Sequence, residues 1–276
     1  MRTTPPLSHS GAHWHRGCAL AYEIHGSGPP VVFIQGLGIH SAAWKPQIDE
    51  LAAKYECLSF DNRGLGRSQP RGCALTIQQM AEDTLALMGA VQWESAHVVG
   101  QSMGGVIALE MALAARGRVR SLTLLCSLAR GRNVFPVSRE MIWRWLRTRV
   151  GVKSQRRKAL LELVMPESAL ASCDAAALAA ELAPLFGHDL ADHAPVSARQ
   201  LWALVRYDAT ARLPELAGLP TLVVNAAQDP IAPPHAGRAM AEAIPGARFV
   251  EIADASHAAA IQRAAEINAL LLEHFG

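Results

Sequence analysis

The stretch that decides the fold is VVGQSMGG, residues 98–105, in which Ser102 stands between Gly100 and Gly104 with a second glycine, Gly105, directly behind. Two readings compete for that serine: a nucleophile, or a small residue in a tight turn with no chemistry. The pentapeptide G-x-S-x-G alone does not separate them, but its flanks carry more information. SAHVV (95–99) is a short β-branched run suited to a buried strand, and VIALEMALAARG (106–117) continues as a helix-like apolar repeat ending in glycine. The serine therefore falls where a strand turns sharply into a helix. Glycines on both sides let the backbone turn without Cβ clashes, and the following helix directs its first N–H groups toward any negative charge developing nearby.

Working outward, the N-terminal half alternates strand-like and helix-like segments. Strands are expected at 19–25, 30–35, 55–60, 97–100 and 121–127, and helices near 43–53, 75–91 and 103–116. Such alternation implies a mostly parallel sheet with helices on both faces. The opening two strands, joined only by HGSGPP, read as an antiparallel start, since so short a link cannot make a crossover. After Ser127 the pattern breaks. Residues 130–212 hold several helix-like stretches and no convincing strand, and alternation resumes with PTLVVNA (220–226), a helix near 235–243, ARFVEIA (247–253) and a last helix from about 258 to 274. The expectation is an α/β core formed by 1–129 and 213–276, interrupted by a helical cap over 130–212 near the strand ends where such sheets bind ligands.

Composition narrows the function classes. A chain of 276 residues is long enough for one large core with an inserted subdomain. No apolar run approaches the length needed to cross a bilayer, so no membrane partner is expected. The opening residues have no apolar central stretch of a secretory signal, which points to a cytoplasmic protein. A net charge of +2 calls for no nucleic acid partner. Five cysteines (Cys18, Cys57, Cys73, Cys126, Cys173), widely spaced and without a C-x-x-C pair, argue against a disulfide framework and a zinc site. His13 and His15 could share a strand face but lack a third ligand, and no dinucleotide or phosphate-loop fingerprint is present, so no metal or cofactor is expected.

A serine hydroxyl needs a base to take its proton, and the base needs a group to fix its tautomer. Among eleven histidines, His257 in ADASHAAA (253–260) follows the last expected strand, so its loop should emerge on the same sheet edge as Ser102. Asp229, in NAAQDPIAPP (225–234), follows the preceding strand in a proline-rich loop that could hold a carboxylate rigidly. Asp254 competes, but it is too close to His257 along the chain to reach Nδ1 comfortably. The order Ser102, Asp229, His257 is one of the known serine-triad orders.

With these residues in place, the chain resembles the α/β-hydrolase family over nearly its whole length, through YEIHGSGPPVVFIQGLG (22–38), SFDNRGLGRS (59–68), VVGQSMGG, DPIAPP (229–234) and ASH (255–257). The resemblance implies Ser102 as nucleophile, Asp229 as acid, His257 as base, and backbone N–H groups of Leu37 and Met103 as oxyanion donors. It also implies a structural role for the loop holding Asp61 and Arg63. The sequence departs from the family pattern in Gln35-Gly36, where many members have His-Gly, and in Ala226, where a glycine is common. Gln35 is expected to disturb the loop's local hydrogen bonds more than the chemistry.

The reading is a cofactor-independent hydrolase that cleaves a small-molecule carboxylic ester or lactone through an acyl-enzyme. SAAWKPQ (41–47) and the SMGG turn are similar to 3-oxoadipate enol-lactonases. The same triad also serves carbon–carbon bond hydrolases, acyltransferases and perhydrolases, while dehalogenases and epoxide hydrolases of this fold place Asp where Ser102 stands. From a different class, the fold can carry a non-enzymatic small-ligand receptor. His40 and His235 are further pocket candidates. In REMIWRWLRTRV (139–150), Met141, Trp145, Trp143 and Leu146 form a mixed apolar side expected to set substrate choice, with arginines spread around it.

Overall fold

The computed structural model describes residues 7–70, 72, 74–134 and 139–276; Cys73 lies outside the described residues. Eight strands form one sheet in the order β1-β2-β4-β3-β5-β6-β7-β8: β1 (Leu7–His15), β2 (Cys18–His25), β3 (Pro30–Ile34), β4 (Glu56–Phe60), β5 (Ala96–Gln101), β6 (Val119–Leu125), β7 (Thr221–Ala226) and β8 (Arg248–Ile252). From β4 to β8 every pairing is parallel, and β1 and β2 form an antiparallel edge.

Alternating side chains explain why these runs are apolar throughout: strands covered on both faces need hydrophobic residues at every position. Val32, Ile34, Leu58, Val98, Leu122, Leu124 and Val223 pack with α2 (Ile77–Ala90) and α3 (Met103–Ala114). Their neighbours Val31, Phe33, Cys57, Val99, Leu125, Leu222 and Val224 pack on the opposite face. There they meet the helix that follows β3, residues 45–51, and the C-terminal helix, residues 264–275. Thr76 caps α2 by accepting the Gln79 N–H.

In chain order the helices are α1 (Lys45–Leu51), α2 and α3 as above, α4 (Arg139–Arg147), α5 (Lys153–Val164), α6 (Glu167–Ala171), α7 (Ala175–Phe186), α8 (Ser197–Val205), α9 (Pro234–Ala243), α10 (Ala259–Gln262) and α11 (Ala264–Phe275). Between β6 and β7 the described residues form helices α4 to α8 and no named strand. This segment has an apolar cluster of its own, with Leu161, Leu163, Val164, Leu182, Phe186 and Leu190 packed together with Ala258 of the segment after β8.

Three expectations need correction. The opening strands are antiparallel in direction but not neighbours, because β4 lies between β2 and β3. The link of residues 26–29 can do this because four extended residues span about 13 Å, more than two strand spacings of about 5 Å each. A strand at 7–15 also precedes them. It is held by backbone pairing to β2, with partners from Leu7↔His25 to His15↔Cys18, and its composition of Ser, His and Gly carries no apolar alternation. The last helix, expected as one, breaks at Arg263 into α10 and α11.

Candidate active site

Ser102 is the single residue between β5 and α3, and its backbone sits at φ 54°, ψ −122°, a conformation that L-residues seldom adopt. Holding a serine there costs about 1–3 kcal/mol, and the surroundings must enforce it. The Ser102 N–H donates to Leu125 O of β6 at 2.9 Å. The turn is also too crowded for larger residues beside it: a Cβ at Gly104 would run into the Ile34 carbonyl of β3, and one at Gly100 into the Gly104 carbonyl. The glycines are there for close approach as well as for turning.

The three residues expected to act together are joined through His257. His257 Nε2 lies 3.0 Å from Ser102 Oγ, and His257 Nδ1 lies 2.7 Å from Asp229 Oδ2. A carboxylate accepts, so Nδ1 carries the proton and Nε2 presents its lone pair to the serine hydroxyl. Asp229 is buried, and its other oxygen accepts the N–H groups of Ile231 and Ala232 at 2.8 and 2.9 Å, the turn that its proline-rich loop builds. Asp254 is exposed and faces elsewhere, accepting from Ser168 Oγ at 2.7 Å. His257 has a further support that no motif announced: Gln101 Nε2 donates to its carbonyl at 2.9 Å. Ser256 Oγ donates to Gln228 O at 3.1 Å, tying the histidine loop to the aspartate loop.

Leu37 and Met103 flank the serine, one in the loop after β3 and the other at the first position of α3. Among the described residues neither N–H donates to a protein acceptor, whereas the N–H groups of Gly36, Gly38 and Ile39 all do. The expected disturbance from Gln35 is not what the structure contains. Gln35 folds its own Oε1 onto the Gly36 N–H at 2.7 Å, and its carbonyl accepts Asn62 Nδ2 at 2.8 Å, so this residue makes the loop's local bonds itself.

The loop is gripped from the helical segment as well. Gly38 N–H donates to Gln200 Oε1 of α8 at 2.7 Å, His188 Nε2 lies 3.1 Å from Gly38 O, and His40 N–H donates to Phe186 O at 3.2 Å. Sequence reasoning missed Gln200, His188 and Asn62, since each acts on a backbone atom and belongs to no pattern.

The neighbouring charges are scaffold. Buried Asp61 accepts the Ser41 N–H and hydroxyl and the Arg67 N–H. Arg63, also buried, pairs with Asp83 and donates to Ala74 O. His15 joins Asp83 at 2.8 Å, and no group of metal-ligating side chains occurs among the described residues. His235 is exposed, while His40 lines a separate cavity with Asp61 and Arg67, where burial holds its pKa below the usual value.

Above Ser102 and His257 opens a cavity of about 1130 Å³, open solvent at its mouth included. Its walls come largely from the segment between β6 and β7: Trp145, Leu160, Leu163, Val164 and Phe186. Trp143 is not among them. It is 62% exposed, as α4 turns Met141 and Trp145 inward and leaves Ile142, Trp143 and Leu146 outside. The arrangement sets an imidazole against a hydroxyl, beneath a largely apolar chamber, at the N-terminus of a helix.

Comparison with known proteins bears on the family and the fold. A family model described as alpha/beta hydrolase fold matches residues 29–264. A protein of Azorhizobium caulinodans named carbamate hydrolase RutD is 31% identical over 275 residues, covering 98% of both chains. One of Mycobacterium tuberculosis named non-heme bromoperoxidase BpoC is 34% identical over 263 residues, covering 93% of this chain and 97% of that one. Among solved structures, the enol-lactonase from Burkholderia xenovorans superposes with a TM-score of 0.80 at 27% identity, covering 96% of this chain and 99% of its own. No helix among the described residues is long and apolar enough to cross a membrane.

Proposed function

The chain belongs to the alpha/beta hydrolase family, and from that premise we propose that it is a serine hydrolase cleaving a carboxylic ester or lactone through an acyl-enzyme. The observation that carries the reading is the continuous contact from Asp229 Oδ2 through His257 to Ser102 Oγ, 2.7 and 3.0 Å. His257 Nε2 takes the hydroxyl proton as Oγ attacks the substrate carbonyl. The oxygen that becomes negative is received by the N–H groups of Leu37 and Met103, fixed donors that need no reorganisation as charge develops. Loss of one such donor costs about 10²–10³ in kcat in a studied protease. His257 then returns the proton to the leaving alkoxide, and in a lactone that alkoxide stays tethered to the acyl group. Water, deprotonated by the same nitrogen, releases the acid and restores the serine. Asp229 keeps Nδ1 protonated and balances the charge on the ring.

The same reading divides the chain into a core of 1–129 and 213–276 and a helical cap of 130–212 whose apolar wall receives the acyl part. It includes a cytoplasmic location, which the buried free thiols of Cys57 and Cys126 fit. A fluorophosphonate probe should add one label, at Ser102, and Ser102→Ala should neither label nor turn over p-nitrophenyl butyrate. Sustained ester hydrolysis by pure Ser102→Ala would end the proposal.

A further inference from the structure

Two formally charged side chains line the cavity above Ser102, Asp192 and Arg149, and their situations differ. Asp192 is already compensated, with Lys153 Nζ at 3.2 Å and Arg156 Nη2 at 4.0 Å. The other arginines following Glu140 on this stretch are likewise paired, Arg144 with Glu140 and Arg147 with Glu162, each at 2.8 Å. Arg149 has no carboxylate within ion-pair distance among the described residues. Its guanidinium lies over the ring of Trp145, Cζ 4.0 Å from the centroid, and Nη1 reaches Thr148 Oγ1 at 3.4 Å. With its cationic carbon over the ring and no carboxylate partner, Arg149 still has N–H groups to offer, the kind that grip a carboxylate in two-point fashion. Arg149 keeps solvent-exposed surface of its own, yet partial burial of its guanidinium lowers its pKa, and the histidine beside it, His193, is lowered by burial and then by the Arg149 charge. Much of the remaining wall is apolar, through Leu160, Leu163, Val164 and Phe186, and beside such a wall an ionic contact is stronger than in water.

We propose that Arg149 is the anion-binding group of this cavity, and that the substrate is an ester or lactone carrying a carboxylate remote from the bond that is cleaved. The Trp145 ring and the leucines beside it take the carbon chain, and Arg149 neutralises its far end. This rests on the acyl-enzyme reading above. It adds a substrate class and a residue that selects it.

The test compares mono-p-nitrophenyl esters of succinate, glutarate and adipate with neutral p-nitrophenyl esters of matching length. Wild type should prefer the charged member of at least one pair by about 10- to 100-fold in kcat/KM, the range of a charged hydrogen bond, and raised salt should shrink that preference. Arg149→Met should collapse the charged-to-neutral ratio, chiefly through KM, and Arg149→Lys should retain part of it. Labelling of Ser102 by the fluorophosphonate verifies that each variant is folded. A wild-type preference for the neutral esters, or an unchanged ratio in Arg149→Met, overturns the proposal while leaving the hydrolase reading intact. Binding to Ser102→Ala needs no acylation. In calorimetry, monomethyl adipate should bind Ser102→Ala about 10-fold or more tighter than Ser102→Ala/Arg149→Met. Equal affinities would refute the anion subsite even if Ser102 proved not to be the nucleophile.

Discussion

Replacing Gln200 by Leu tests whether the segment between β6 and β7 holds the oxyanion loop in working shape. Gln200 is fully buried and accepts the Gly38 N–H at 2.7 Å, one residue beyond the proposed donor Leu37. Leucine is close in size, so little packing is lost, but the Gly38 N–H is left without its acceptor, which costs about 1–3 kcal/mol when buried. Against that, Gln200 Nε2 has no partner among the described residues, so the substitution also removes a buried polar group that was unpaired. The two terms oppose, and the net destabilisation should be about 1 kcal/mol, a fall of about 2 °C in Tm. Catalysis should suffer more. With its neighbour untied, the Leu37 N–H is no longer aimed, and part of the roughly 10²–10³ that one donor contributes is lost. The expected result is a kcat about 10- to 100-fold lower with KM changed by less than about threefold. Steady-state hydrolysis of p-nitrophenyl butyrate, normalised to fluorophosphonate-titrated sites, measures this. A trifluoromethyl ketone, which builds the oxyanion on Ser102, should lose affinity in parallel. If folded Gln200→Leu keeps kcat/KM within twofold of wild type, the grip on Gly38 has no part in catalysis.

Asp229→Asn should lower kcat by about 10⁴, because an amide facing Nδ1 favours the wrong tautomer, whereas Asp254→Asn should stay near wild type; the reverse outcome would transfer the acid role to Asp254. Trp145→Ala should shift the ranking of p-nitrophenyl acetate to octanoate toward longer chains, while Trp143→Ala, at an exposed position, leaves it unaltered; equal shifts in both would discount the cavity wall as the cause. Burial, followed by the charges of Arg120 and His274, pulls the pKa of His97 down to about 4. The unfolded chain therefore binds a proton near pH 6.5 that the folded one refuses, and stability declines as pH falls from about 6.5 to about 4, by about 3 kcal/mol in all. Urea midpoints at pH 7.5 and 4.5 should differ less in His97→Gln than in wild type, and an equal difference would rule this histidine out as the source.

The parts of this molecule that could be read from sequence are those where one physical demand dominates. Strands buried on both faces must be apolar throughout, and β3, β5, β6 and β7 announce themselves that way. Ser102 was legible because a one-residue turn between strand and helix needs glycines against neighbouring carbonyls. Asp229 and His257 followed from strand ends that share an edge. β1 was not legible, since its stability comes from the register it finds on β2 and its side chains show no face. Trp143 misled because α4 has apolar residues on more than one side, and only packing decides which side turns inward. Gln200, His188 and Asn62 serve the loop through backbone atoms, a role any polar side chain of suitable length could fill, so no spacing marks them. Gln35 was misjudged for a related reason: its side chain closes onto the next peptide, a local bond that a comparison of residue types does not reveal.

The position of β7 has a consequence for how the chain assembles. Thr221 pairs with Leu122 in the sheet, yet the whole helical segment separates them in sequence. During synthesis the first six strands can join as they emerge, with β6 as a bare edge whose unpaired backbone groups invite association with other chains. That edge stays open until β7 and then β8 arrive. Asp229 and His257 follow those two strands, so the serine is in its strained turn long before its base exists. Ribosome-bound chains halted before residue 221 should therefore contain an ordered but inert and adhesive sheet, and activity should appear abruptly once β8 and the histidine loop have left the tunnel. Closing a loop of this length is entropically slow compared with the local pairings that precede it, which makes the docking of β7 onto β6 the natural candidate for the late step in folding.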